Sequence, residues 1–279
     1  VLQMNENLRR VIKPVYNLGK ETWYGITGFF YGHGMFLDDN FKKLASYRNR
    51  HKGERCFLIG TGPSLKAEDL EKIKNEYSIG CNMLYKLYDQ TAWRPTYYCM
   101  TDRVYAKHQS PEMVKYVDVP IFTPRSTYKR MAGKSEHMIY VNDIYDYETY
   151  KIRGKMLSYC WLKASVMLFM MELAVYMGFS EIYLLGVDCT NTYTANGHFT
   201  KDYMKEDTKK AEDQRMKRDL KKKQLTPEEM GLHNYRRSIE AYGVVNEFAK
   251  AHHVHIYNAT RGGDLEVFPR VVLENIEGI

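Results

Sequence analysis

Short apolar runs recur along the chain. Each ends in glycine or a hydrogen-bonding residue, and several are followed by a helix-like stretch. Cys56–Ile59, Tyr77–Cys81, Thr96–Met100, Pro120–Phe122, Met138–Val141, Glu181–Leu185 and Val254–Tyr257 read as strands; the helices between them include Ala67–Asn75, Lys163–Met177 and His233–Ala251. This order predicts an α/β, Rossmann-like fold: a mostly parallel sheet with helices on both faces. Two segments break the pattern. Residues 1–52 scatter Tyr16, Trp23, Tyr24, Phe29, Phe30 and Tyr31 among basic residues without a strand pattern, and are expected to be helical. Either they pack on the main domain or they meet a membrane surface or a partner. Residues 191–230 begin turn-rich and become highly charged, with Arg215, Lys217, Arg218, Lys221, Lys222 and Lys223 crowded together. An insertion of this length beside a site reads as a lid, and its basic run as either a solvated helix face or an anion contact. The expected organisation is a helical segment over 1–52, a nucleotide-binding domain over 53–190 and 231–279, and a lid over 191–230.

In such a sheet ligands bind beyond the carboxyl ends of the strands, so the residues that follow the strands form one candidate set. They are Gly60-Thr61-Gly62-Pro63-Ser64, Asn82, Thr101-Asp102-Arg103, Thr123-Pro124-Arg125-Ser126, Asn142-Asp143, Gly186-Val187-Asp188 and Asn258-Ala259-Thr260-Arg261. Arg103, Arg125, Asp102 and Asp188 are expected to converge on the glycine turn. That turn joins an apolar strand to a helix start, where backbone N–H groups and the helix dipole favour an anion. A nucleotide phosphate is the expected ligand; a strand-to-helix turn that holds nothing is the alternative. Leu65 stands where a dinucleotide fingerprint wants a third small residue, Asn82 stands where it wants an acid, and no P-loop lysine follows.

Composition adds bounds. With 279 residues, 44% hydrophobic and 27% charged, the chain suits one large globular domain with an appendage. The net charge of +7 is moderate and the basic run lacks interleaved aromatics, so nucleic acid is not an expected partner. The five cysteines show no metal-type pairing and read as buried hydrophobes in a reducing compartment. The longest apolar run, from Ala164 to Phe179, is interrupted by Glu172 and is too short to span a bilayer. A cytoplasmic location is expected, membrane-peripheral if residues 1–52 meet a bilayer. A second copy of the chain is a further candidate partner.

Ile59 to Leu65, Cys81-Asn82, and Ala174 to Asp188 together resemble one superfamily. It holds bacterial lipooligosaccharide sialyltransferases, motility accessory factors that modify flagellin, and 6-hydroxymethylpterin diphosphokinase-like proteins. The resemblance covers about residues 52–188 and, more loosely, 233 to the end; Ile256 to Arg270 is most similar to the diphosphokinase-like branch. For the sialyltransferases it implies a Rossmann-like domain with a lid, binding a CMP-activated nonulosonic acid. Gly60, Gly62, Ser64 and Asn82 would hold the donor, with Thr61, Arg103, Arg125 and Asp188 beside them. His233 would be the general base, with His198 as competitor. Tyr193 and Tyr203 are nearest to the tyrosines that support the leaving phosphate in that family. Asp102 stands where that family has an asparagine. The leading expectation is a nucleotide-sugar glycosyltransferase that builds a bacterial surface glycan by direct displacement and requires no cofactor. The alternative is an ATP-dependent diphosphokinase with Mg²⁺ held by Asp102 and Asp188.

Overall fold

The computed structural model describes residues 6–145, 150–162, 165–190 and 197–279. Its strands are β1 (Arg55–Ile59), β2 (Ser78–Cys81), β3 (Tyr97–Cys99), β4 (Ile121–Pro124), β5 (Met138–Val141), β6 (Asp143–Tyr145), β7 (Cys160–Leu162), β8 (Glu181–Leu185) and β9 (His255–Asn258). Seven of them form one parallel sheet in the order β5-β4-β3-β2-β1-β8-β9, and β6 pairs with β7 in a separate ladder. The helices are α1 (Glu6–Gly32), α2 (Asp39–Ala45), α3 (Ala67–Lys72), α4 (Arg103–Tyr116), α5 (Arg125–Tyr128), α6 (Val166–Met177), α7 (Glu206–Lys223) and α8 (Pro227–Ala251).

The sheet is buried on both faces, and the side-chain alternation of β1 shows how. Cys56 and Leu58 point into a core built with α2, α6 and α8, including Leu44, Leu173, Val245 and Ala249. Phe57 and Ile59 point into a second core with α3 and α4, including Leu70, Ala106 and Met113. Four of the five cysteines are buried and the fifth, Cys189, is half-buried; all are free thiols. From β1 the chain winds outward to β5, then returns to add β8 and β9 on the other side of β1. The reversal creates a crevice between the carboxyl ends of β1 and β8, the usual ligand position in open parallel sheets.

Local chemistry sets the helix ends. Ser165 caps α6 by accepting from the Met167 N–H, and Gly178 ends it in the left-handed region at φ 92°. Thr226 and Glu229 form a capping box at the start of α8, with Pro227 in its first turn. This helix begins two turns before His233, so His233 does not stand at an N-terminus as the apolar pattern predicts. The charged stretch after Lys205 is helix α7, docked on α4. Gln109 donates to the fully buried Thr208 at 2.8 Å, and His108 meets Asp207 at 2.9 Å.

Helix α6 is apolar all round except for Glu172, which is buried. Its Oε1 accepts from the Arg153 and Gly154 N–H groups at 3.3 and 3.1 Å, while Oε2 has no hydrogen-bond partner among the described residues. Burial raises this carboxyl to about 7 from 4.5, against the pull of those two backbone bonds. A folded-state pKa above the unfolded one means that the neutral form stabilises the fold. That contribution is complete below the unfolded value and is lost as pH rises through the folded one. Thermal unfolding followed across about pH 5 to 8 should therefore show a decline in Tm that Glu172→Gln flattens. An unchanged slope in the variant would assign the decline to other groups.

Candidate active site

The glycine turn closes on the exit of β8 rather than standing open. Gly60 N–H donates to Leu185 O at 2.7 Å and Gly62 N–H to Gly186 O at 2.8 Å. Ser64 donates through its N–H and its hydroxyl to the two oxygens of Asp188, at 3.2 and 2.8 Å. These donors are spent inside the protein, and α3 is a short helix entered from Lys66. The Asp188 carboxylate thus lies against the turn at the place where the sequence reading expects a phosphate. Burial raises the Asp188 pKa, partly offset by the Ser64 bonds.

Thr61 is the turn residue that faces the insertion. Its carbonyl accepts from Phe199 N–H at 3.1 Å, and its Oγ1 lies 3.3 Å from His198 Nδ1. Tyr203 is buried, donates its hydroxyl to Thr61 Oγ1 at 3.1 Å, and stacks on His198 with ring centroids 3.6 Å apart. Burial lowers the His198 pKa, against a hydrogen bond to the Thr61 backbone that raises it, and keeps the ring neutral at pH 7. At the end of β2, Asn82 is buried in the left-handed region at φ 50°, and its Oδ1 has no hydrogen-bond partner among the described residues. A buried amide oxygen of this kind is a candidate ligand contact.

A second group lies beyond β3, β4 and β5. Asp102 caps α4, accepting from Val104 and Tyr105 N–H at 2.7 and 3.1 Å, and pairs with Arg215 of α7 at 2.8 Å. Arg215 also meets Glu212 at 2.5 Å. Burial, with Asp102 nearby, lifts Glu212 to about 7 despite that arginine. Arg103 donates to Ser126 Oγ at 2.9 Å and lies 4.0 Å from Asp143; Arg125 donates to Asn142 Oδ1 at 3.1 Å. Lys20 reaches in from α1 and donates to Asp143 O at 3.2 Å. Burial lowers the Lys20 pKa, and Lys129, Arg103 and Arg125 lower it further against Asp143. Three cations thus gather near the buried Asp143, with Arg103 paired to its carboxylate, Lys20 on its carbonyl and Arg125 on the neighbouring Asn142.

His198, Tyr203, Thr61, Gly60, Gly62, Ser64 and Asp188 gather at the crevice, while Asp102, Arg103 and Arg125 sit at the neighbouring strand ends. His233 is half-buried inside α8. Two residues on, Tyr235 donates to Asp264 O at 3.4 Å, and Asp264 N–H donates to Asp188 O at 2.8 Å. That turn of α8 is tied to the back of Asp188. Tyr193 lies outside the described residues. Lys20 and Glu212 escaped the sequence reading, one in the helical segment and one in the charged insertion, with no motif to lift them out; Arg215 stood there only as a member of the crowded basic run. Arg261, another strand-end arginine, is taken up by Asp69.

The family model described as 6-hydroxymethylpterin diphosphokinase MptE-like matches residues 35–194, more than half of the chain. No curated protein matches the chain. Among solved structures it is similar to the MAf glycosyltransferase of Magnetospirillum magneticum, at 14% identity and a TM-score of 0.41. That match covers 83% of this chain and only 37% of the other. It is also similar to the monofunctional alpha-2,3-sialyltransferase Cst-I of Campylobacter jejuni, at 14% identity and a TM-score of 0.48, over 80% and 82% of the two chains. A third is the C. jejuni sialyltransferase CstII in complex with the substrate analogue cytidine-5'-monophosphate, at 13% identity and a TM-score of 0.38, over 77% and 84%. Likenesses at this level assign no activity.

The close approach at the crevice leads to a test. A Cβ on Gly62 would collide with the Asp188 carboxylate and lie 2.7 Å from Gly186 O, whereas one on Gly243, inside α8, would meet nothing within 4 Å. In denaturant melts Gly62→Ala should cost about 1–3 kcal/mol. Gly243→Ala should gain about 0.5–1 kcal/mol from helix propensity. Equal effects would mean that the turn relaxes at no cost.

Proposed function

The chain belongs to the MptE-like family, and from that premise we propose that it moves a group from a nucleotide-activated donor to a hydroxyl acceptor. The donor is a nucleotide sugar, of the CMP-nonulosonic acid type, and the acceptor a bacterial surface glycan. One observation carries this choice over the kinase. Both aspartates that would hold Mg²⁺ are already engaged, Asp188 by Ser64 and Asp102 by the α4 amides and Arg215. Among the described residues no three His, Cys, Asp or Glu side chains converge as a metal site. Asp102 and Asp188 as held here do not fit a shared Mg²⁺. The charge that a departing phosphate needs comes instead from Arg103, Arg125 and Lys20, grouped around Asp143.

In this reading His198 removes the acceptor proton. The role requires the tautomer in which Nδ1–H donates to Thr61 and the lone pair stands on Nε2; burial favours the neutral ring. Tyr203 holds the ring in plane, and the unpartnered Asn82 Oδ1 accepts from the donor nucleotide. The acceptor oxygen attacks the anomeric carbon, the glycosidic bond forms, and the nucleotide leaves with the bonding pair. His233 is the second candidate base; it stands inside α8, past the first turn and not at the helix N-terminus. The diphosphokinase reading stays as the second, favoured by the description of the family model, and requires both aspartates to leave their present partners.

A thermal-shift screen of CMP, CDP, UDP, GDP and ATP, with and without Mg²⁺, separates the two. Stabilisation by CMP without metal is the expected outcome; stabilisation by ATP only with Mg²⁺ would overturn the sugar-transfer reading. With the donor so found, His198→Gln should lower turnover roughly 10²–10⁴-fold with the donor-induced shift in Tm retained. The kcat/KM profile should rise with pH through a value below the usual histidine range and then flatten. If His233→Gln produces that loss and His198→Gln does not, the base assignment moves to α8. Arg125→Gln should weaken donor binding roughly tenfold to a hundredfold.

A further inference from the structure

Helix α1 buries one side and leaves the other bare. Its inner side is fixed by Lys20 on Asp143, Tyr24 against Tyr159, Gly28 against Ser158, and Tyr31 stacked on Phe41. Its outer side carries Val15, Leu18, Trp23, Ile26, Phe29 and Phe30, exposed by between 43% and 68%. At 100° per residue the exposed apolar positions from Ile12 to Phe30 fall within one arc of about 160°, along roughly 27 Å of helix. No charged residue lies in that arc. Met35 and Leu37, both exposed, carry the apolar surface beyond the helix end. A bare stripe of this size is a docking surface, since single exposed hydrophobes need no explanation but a contiguous run does.

Charge decides what covers it. Residues 1–52 hold nine Lys and Arg against four Asp and Glu, so this segment carries +5 of the chain's +7. Lys42, Lys43, Arg48, Arg50 and Lys52 are exposed just past the helix. A second copy docking here would bring two like-charged segments together, whereas an anionic lipid surface complements both the apolar stripe and the surplus of positive charge. No helix among the described residues is long and apolar enough to cross a membrane. We propose that α1 is an interfacial helix that seats the protein on an anionic bilayer, its outer stripe in the headgroup–acyl boundary and its inner side on the fold. The same helix carries Lys20 into the cation group beside Asp143, so the docked surface and the candidate site share one element. The proposal stands apart from the sugar-transfer reading, because its test reads binding and not turnover.

The test is sedimentation of the full chain with vesicles of phosphatidylcholine alone, or of equal parts phosphatidylcholine and phosphatidylglycerol. The chain should pellet with the anionic vesicles, more weakly at raised salt, and much less with the neutral ones. Trp23 is 59% exposed while Trp93 and Trp161 are buried, so binding should shift tryptophan emission to the blue. Trp23→Ser with Phe29→Ser should weaken partitioning roughly tenfold or more with Tm unchanged, as both side chains lie outside the core. Wild-type protein left in the supernatant, equal pelleting with both vesicle types, or full binding by the double variant would each overturn the proposal. So would a wild-type dimer, seen by sedimentation velocity, that these substitutions dissolve while vesicles bind neither protein; that result would give the stripe to a second copy.

Discussion

The contact between Asp188 and Ser64 is the constraint from which the site's geometry follows. It exists only because the backbones around it come unusually close. Gly62 has no Cβ, so the Asp188 carboxylate can lie against the turn; Gly186, at φ 64°, swings the exit of β8 toward β1. Gly263, at φ 73°, brings the loop after β9 against the Asp188 backbone, where a Cβ would collide. Three strand ends are thereby locked together over the five-residue register of β1 on β8. The lock fixes the direction in which Thr61 faces, and Thr61 in turn receives Phe199, His198 and Tyr203. The insertion is thus rooted on the turn.

This arrangement explains which parts of the molecule were legible in the sequence. The seven sheet strands announce themselves because burial on both faces demands nearly unbroken apolar runs. The β6–β7 ladder does not, since each strand is three residues long and too short to show a period. Helix α4 is also hidden: Pro111 lies within it, and its apolar residues follow no strong helical stripe. The glycine turn was legible as a strand-to-helix turn, but the fate of its amides was not. A free N–H and one already taken read the same in one dimension, and the partner that takes the Ser64 N–H lies 124 residues away. Lys20 is a similar case, 123 residues from the Asp143 carbonyl that holds it.

The two charged groups divide the electrostatic work. Around Asp143, which is 3% exposed, the cations outnumber the carboxylate, and burial with mutual repulsion already depresses the Lys20 pKa. Any anion brought close to this group would relieve that repulsion. Around Asp102 the balance is reversed. Asp102 and Glu212 share Arg215, and the burial of Glu212 favours its neutral form near pH 7.

That second balance bears on how α7 can move. The Arg215–Asp102 pair has side chains 43% and 26% exposed, a setting in which ion pairs contribute only about 0–1 kcal/mol. Toward the start of the same helix, Thr208 is fully buried and bonded to Gln109, itself buried. Breaking that end would leave buried polar groups unpaired, at about 1–3 kcal/mol for each. The helix is therefore pinned near Thr208 and held more weakly one and a half to two turns further on. A pivot about its first turn is the least costly displacement, and it would part Arg215 from Asp102 while leaving the Thr61–His198–Tyr203 root in place.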